Sequence, residues 1–286
     1  MDVLFGLSAS IPTVLWILLI CYIVEQIGII ERHSLRSRVP GVLMNLAQVY
    51  LGIALIVPVA QLWNFLGLGS VMRIPLWSWL SPFGLVGYSL QWLTLVVVAD
   101  FLAYWRHRAE HKWFWPIHAV HHSPTELHAA NDIGHPVQIW FSLLFITIPG
   151  SLIQFEGPGT PKSVAFFVAL LSYYIHSPVR LHFGPFRKLL VDNRYHRIHH
   201  SLEERHFDKN FGICFSIWDR LFGTAYDPAP DEWPSVGVAG LAPPRSLTDF
   251  LSLPARVGRV SAPQAPCSDE PEPGHWLSSA TSSRGS

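Results

Sequence analysis

The sequence predicts an all-α integral membrane protein, with four or five transmembrane helices and a histidine-rich helical cap on the cytoplasmic face. Three observations carry this prediction. Of 286 residues, 50% are hydrophobic and only 14% are charged, whereas soluble domains carry roughly 25% charged residues. Several apolar stretches approach the length of about 20 residues that a bilayer crossing needs. Thirteen of the fifteen histidines fall between His107 and His206, after the third of those stretches.

The stretches run, in order, over Ile11–Ile30, Val42–Phe65, Phe83–Trp105, Val137–Phe155 and Ser163–Ile175. Glu25 and Gln26 weaken the first, and the last is short enough to be re-entrant or tilted. No cleavable signal peptide is expected, because Met1-Asp2 precedes the first apolar run without a basic segment. Basic residues collect on alternate connections: Arg32, Arg36 and Arg38; then Arg106, Arg108 and Lys112; then Arg180, Arg187, Lys188 and Arg194. The intervening connections hold only Arg73 and Lys162. By the positive-inside rule the N-terminus lies outside and the histidines lie in the cytoplasm. Gly157-Pro-Gly-Thr-Pro161 reads as a turn that makes the last two stretches a hairpin.

Three divisions follow: residues 1–82 as N-terminal transmembrane helices, 83–226 as a catalytic domain, and 227–286 as a largely disordered tail. Ten prolines and a terminal Ser-rich run mark the tail. Formal net charge is zero, which removes the electrostatic case for a nucleic-acid partner. Cys21, Cys214 and Cys267 fit no CxxC pattern and read as unpaired thiols.

Chemistry concentrates in three histidine clusters, His107-x3-His111, His118-x2-His121-His122 and His196-x2-His199-His200. Residues three or four apart share a helix face, so each cluster is expected to aim its imidazoles at one point. Neutral imidazole is the commonest protein metal ligand, and burying it without a partner costs free energy. All-imidazole coordination suits Zn, Fe, Cu or Ni. Eight imidazoles exceed the needs of one ion, so two ions are expected. Glu110 stands at the wrong offset for an HExxH helix and reads instead as an acceptor for a ligand N–H. Trp105, Trp113, Phe114 and Trp115 read as an interfacial aromatic belt, with lining of a substrate portal as the other reading.

These clusters resemble the three histidine boxes of the sterol desaturase/fatty acid hydroxylase superfamily. Asp100, Tyr195, Asn210-Phe-Gly and Trp218-Asp-Arg-Leu-Phe-Gly-Thr224 extend the resemblance over roughly residues 90–226. It implies a membrane-bound di-iron oxygenase that uses O₂ and two electrons to hydroxylate an unactivated C–H bond of a lipid. Desaturation at the same site is the close alternative. The implied ligands of the two non-haem irons are His107, His111, His118, His121, His122, His196, His199 and His200, with His176 as a ninth. His128, His135 and His182 are weaker candidates, and His206 reads as structural or surface. Implied partners are the bilayer lipids, which include the substrate, and an electron donor such as cytochrome b5 or ferredoxin with its reductase. Arg194, Arg197, Arg205 and Lys209 could dock an acidic donor, or they could reflect the positive-inside rule alone. A metal-binding or metal-transport membrane protein is the alternative from another class. It would need polar ligands along a path through the membrane, and the apolar stretches hold few beyond Glu25, Gln26 and Asp100.

Overall fold

In the computed structural model the described residues are 3–67, 71–155, 161–181 and 183–257. Eleven α-helices are formed among them: α1 (Val3–Ile27), α2 (Leu35–Phe65), α3 (Leu76–Leu80), α4 (Gly84–Trp113), α5 (Trp115–His122), α6 (Gln138–Ser142), α7 (Ile148–Leu152), α8 (Pro161–Ile175), α9 (Asn193–His199), α10 (Ile217–Leu221) and α11 (Leu247–Val257). A π-helical turn, Leu143–Thr147, joins α6 to α7. The only sheet among the described residues is a parallel pair, β1 (Met72–Ile74) with β2 (Ile153–Phe155). It ties the connection after α2 to the end of α7.

Three segments are long and apolar enough to cross a membrane: Ser10–Ile27, Leu35–Trp63 and Leu76–Trp113. Gln138–Gly150 and Ser163–Ile175 are shorter apolar helices. Thus three of the five expected stretches reach bilayer length within one helix. The long helices turn large side chains outward, among them Trp16, Ile23, Leu43, Leu62, Leu85 and Leu90. A continuous apolar exterior of this kind is costly in water and natural against lipid. The turn expected at residues 157–161 falls mostly outside the described residues, as does His182.

Glu25, which interrupts the first apolar stretch, is fully buried and ion-paired with Arg38 of α2. Its other oxygen accepts the Ala129 N–H at 2.9 Å. A buried carboxylate persists only with such partners, so Glu25 clasps α1, α2 and the connection after α5. Gly41 of α2 lies where a Cβ would stand 2.2 Å from the Ala130 carbonyl oxygen. The absence of a side chain there lets the same connection sit directly on α2.

The expected disordered tail begins too early. Residues 227–257 are ordered, and α11 buries Phe250, Leu253 and Val257 against Ala119 and Val120 of α5, together with Met44 and Ile133. Apolar residues at i, i+3 and i+7 give α11 one core-facing stripe. The prolines punctuate the path to it without preventing packing. The rest of the expected tail, 258–286, lies outside the described residues, as does Cys267. Cys21 and Cys214 are buried free thiols, as expected.

Candidate metal centre

The C-terminal parts of α4, α5 and α9 converge, with the residues that follow α8 and α9. These supply His107 and His111; His118, His121 and His122; His196, His199 and His200; and His176. Helix C-termini carry partial negative charge and favour a cation. Pro116 at the start of α5 forces the break from α4, since its ring and missing N–H suit a helix start.

The nine histidines form two groups. One contains His107, His111, His118, His122 and His199; the other contains His121, His176, His196 and His200. Within each group the candidate ligand atoms lie within 4.8 Å of one another. The groups abut, with the His122 and His200 rings stacked at 4.3 Å. This corrects the expectation that each cluster aims at one point. Consecutive helical residues diverge by about 100°, so His121 and His122 face different groups. The same divergence sends His199 to one group and His196 and His200 to the other.

Proton positions follow from the partners. His107 Nδ1 stands 2.8 Å from the Phe211 carbonyl oxygen, His199 Nδ1 2.8 Å from that of Lys209, His121 Nδ1 3.1 Å from that of Ile133 and His176 Nδ1 2.6 Å from that of Ser172. His118 Nδ1 meets Glu110 Oε2 at 2.9 Å, and His111 Nδ1 meets Asp208 Oδ1 at 3.1 Å. Carbonyl and carboxylate oxygens accept, so each Nδ1 carries the proton and each Nε2 keeps a lone pair. Those lone pairs point inward at one another. His107 and His118 Nε2 are 3.1 Å apart, His111 and His122 Nε2 3.1 Å, and His121 and His176 Nε2 3.4 Å. His199 Nε2, buried, has no hydrogen-bond partner.

Facing lone pairs repel unless a cation lies between them. Burial lowers the proton affinity of His118, His122, His196, His199 and His200 well below the usual range, and neighbouring imidazoles lower it further. His121 is pushed down to about 4, again chiefly by burial. Protons are therefore poor occupants, and the donor set fits metal ions.

Acidic and amide side chains orient these rings. Glu110 is buried, accepts from His118 and from Gln138 Nε2 at 3.2 Å, and thus has the accepting role expected of it. Asp132 lies 3.6 Å from His121 and 3.8 Å from His176, held by the Ser172 hydroxyl at 2.8 Å. Neither Asp132 nor Asp208 stands out in the sequence, because each is brought to its histidine by a fold-dependent turn. Asp208 and Asn210 both adopt positive φ, which Asp and Asn tolerate better than most residues; that pairing was the available signal.

The closing motif acts through the backbone. Asp219 accepts from Phe211 N at 2.8 Å, Gly212 N at 2.9 Å and the Thr224 hydroxyl at 2.7 Å, which holds the loop whose carbonyl orients His107. Burial outweighs these hydrogen bonds and raises the Asp219 carboxyl to about 6. Asp100 receives Cys214 N, Phe215 N and Trp218 Nε1 at 2.8–3.0 Å. Asp192 caps α9, accepting Tyr195 N at 2.9 Å.

The remaining candidates stay apart. His135 Nε2 meets the Leu251 carbonyl at 3.2 Å, outside both groups. His128 is buried in contact with the His33 ring, and neither of its nitrogens has a hydrogen-bond partner. His206 is buried between Ser201 and Glu232 and is structural. Of the basic residues offered for docking, Arg197 is withdrawn from the surface. Arg197 is buried, bonded to Glu31 and to the Pro234 carbonyl and set over Trp233. Arg194 donates to the Ala229 and Pro230 carbonyls, and Arg205 pairs with Glu203 and Glu232. These cations fasten the 227–257 segment. Of the aromatics, Trp115 stacks beside His111 and His122, and Phe114 stacks on Phe141.

Residues 92–224 match the fatty acid hydroxylase family model, and that span holds all nine histidines. Over these residues the chain is similar to the sterol desaturase/fatty acid hydroxylase superfamily. It is 27% identical over 194 residues to human alkylglycerol monooxygenase, covering 67% of this chain and 40% of the relative. It is 29% identical over 171 residues to the ornithine lipid hydroxylase OlsE of Rhizobium tropici, covering 57% and 50%. A third relative, the very-long-chain aldehyde decarbonylase GL1-8 of rice, is 28% identical over 218 residues, covering 71% and 77%. The matches thus span half or less of the first two relatives' lengths. No solved structure matches the chain.

Proposed function

We propose that the chain is a membrane-bound lipid hydroxylase whose nine histidines hold two iron ions. The observation that carries this reading is the set of Nδ1-anchored imidazoles with their Nε2 lone pairs turned inward in two adjoining groups. A transport path would place polar ligands in series across the helices, whereas these are enclosed at one level. The relatives' names, monooxygenase and hydroxylase of lipids, support the reaction class.

The overall change is one C–H bond and O₂, with two electrons and two protons, giving one C–OH and one water. Iron, when bound, supplies the activation of O₂ and the breaking of the C–H bond. The protein's part is to hold the rings rigidly, exclude bulk water and present the substrate. Glu110 and Asp208 fix ring orientation and raise ligand basicity, while Asp132 sets a carboxylate beside His121 and His176. In this reading residues 83–226 form the catalytic unit, the histidines face the cytoplasm, and a separate donor such as cytochrome b5 or ferredoxin delivers electrons.

The test is the iron content of the purified full chain together with O₂-dependent oxidation of membrane lipids, compared with His199→Ala. Two irons per chain and a lipid product lost in the variant are expected. A single haem, zinc transport without oxygen consumption, or an unchanged lipid profile in the variant would overturn the proposal.

A further inference from the structure

A cavity of about 440 Å³ runs from the histidines up between α2, α6 and α8. Its α2 wall is one helix face, lined by Asn45, Gln48, Gly52, Ile53 and Ile56, residues spaced three or four apart as a single face requires. The end of this face nearest the histidines is polar and the far end is apolar. Gly52 widens the apolar part, since a Cβ there would meet only Ile139 Cδ1, at 3.9 Å.

Most polar groups at the inner end are already engaged. Asn45 donates to the Gly41 and Ala130 carbonyls and accepts from the Tyr173 hydroxyl. Arg106 donates to Ser142 and lies 3.7 Å from Glu110. Arg106 Nε and Glu110 Oε1 make no hydrogen bond of their own, and two amide groups are also left over. Gln138 Oε1 is buried without a partner, while its Nε2 stands 3.2 Å from Glu110 Oε2 and 3.0 Å from His118 Nδ1. Gln48 accepts the Gly134 N–H through Oε1 at 2.8 Å, which fixes its amide orientation and leaves Nε2 without a protein partner. Both flank Gly134, where a Cβ would come within 2.6 Å of Gln138 Oε1 and 3.0 Å of Gln48 Nε2. A free donor and a free acceptor therefore sit side by side next to His118. Gln48 is half-buried, and the fully buried Gln138 oxygen left this way costs free energy that a matching ligand recovers.

We propose that Gln48 and Gln138 form a head-group subsite, so that the cavity takes a lipid bearing an uncharged donor–acceptor group, a hydroxyl or amide, at or beside the carbon that reacts. The inference rests on the hydroxylase reading for its chemistry, which is the O₂- and two-electron-dependent insertion written above. Charge excludes an anionic head here, because the lining's cation, Arg106, is shared with Glu110, and Asp132 adds further negative charge. A mid-chain target would instead need an apolar end at the histidines. Gln48 lies outside the 92–224 family match and Gln138 within it, so the N-terminal helices contribute one of the two groups of this subsite.

The test uses the full chain in lipid nanodiscs with 1-octadecanol and octadecane as probes. Metal-free protein is titrated with each against a spin-labelled lipid, for the unaltered chain, Gln48→Leu and Gln48→Asn. One hydrogen bond at a desolvated site is worth about tenfold in affinity. The octadecanol preference is expected to fall about tenfold in Gln48→Leu and partly in Gln48→Asn, while all three chains bind equal iron. With iron and a reductant, oxygen is expected within the first carbons of octadecanol. An octadecanol preference equal in the unaltered chain and Gln48→Leu, or oxygen inserted at mid-chain, overturns the subsite. If iron binds but no lipid is oxidised, the hydroxylase reading fails, and the metal-free titration still decides the subsite by the same criterion.

Discussion

Acid should unfasten the metal-free histidine cap before it disturbs the long helices. Six imidazoles outside the long helices (His118, His121, His122, His196, His199 and His200) have lowered proton affinity in the folded chain. A histidine depressed in the folded state contributes stability that is present above its unfolded value, about 6.5, and lost as pH falls towards the folded value. For His121, with a folded value of about 4, the loss is ~0.8 kcal/mol at about pH 6 and ~2 kcal/mol at about pH 5. The other five are lowered in the same direction, chiefly by burial, so their losses add to that of His121 over the same fall in pH. Domain stabilities are only ~5–15 kcal/mol, so several such losses acting together should open the cap as pH falls below about 6. Amide hydrogen exchange, corrected for intrinsic pH dependence, should show α5 and α9 losing protection while α1 and α2 keep theirs. Iron competes with protons for the same Nε2 lone pairs and should move the transition to lower pH. Equal protection of α5 in metal-free chain at about pH 7 and about pH 5 would refute the buried, neutral histidines.

Three further outcomes are expected. Glu110→Ala leaves the His118 Nδ1–H without its acceptor and should weaken iron affinity by about 10–100-fold, measured by chelator competition; unchanged affinity would show the contact to be idle. Asp219→Ala strands the Phe211 and Gly212 N–H groups and should cost ~2–4 kcal/mol, read as a lowered melting midpoint with faster exchange in 210–212. Phe250→Ala should cost ~3–5 kcal/mol, whereas a disordered tail would show no change in thermal stability.

The nine histidines, their spacing and their pairing with apolar helices were legible in the sequence, because ligand type and helical period are local properties. Glu110 was legible for the same reason, lying inside the first cluster between His107 and His111. The division into two groups was not. It depends on how α4, α5 and α9 are rotated against one another and on the approach of His176 after α8. Asp132, Asp208 and the Phe211 and Lys209 carbonyls were likewise hidden, since any Asp or backbone carbonyl can serve and only the fold selects which.

The tail shows the same limit from the other side. Proline content describes the stiffness of a segment but not whether Phe250 finds a groove, and α5 with Met44 and Ile133 supplies one. The basic residues of 194–205 were visible as charges, while their carbonyl and carboxylate partners came from segments distant in the chain. By itself the sequence determined the candidate imidazole donors and the helical apolar segments, because composition and short-range period specify both. Tertiary structure alone decided which imidazole faces which, and which amides were left unpaired beside them. Those outcomes depend on side chains meeting across helices that sequence spacing does not relate.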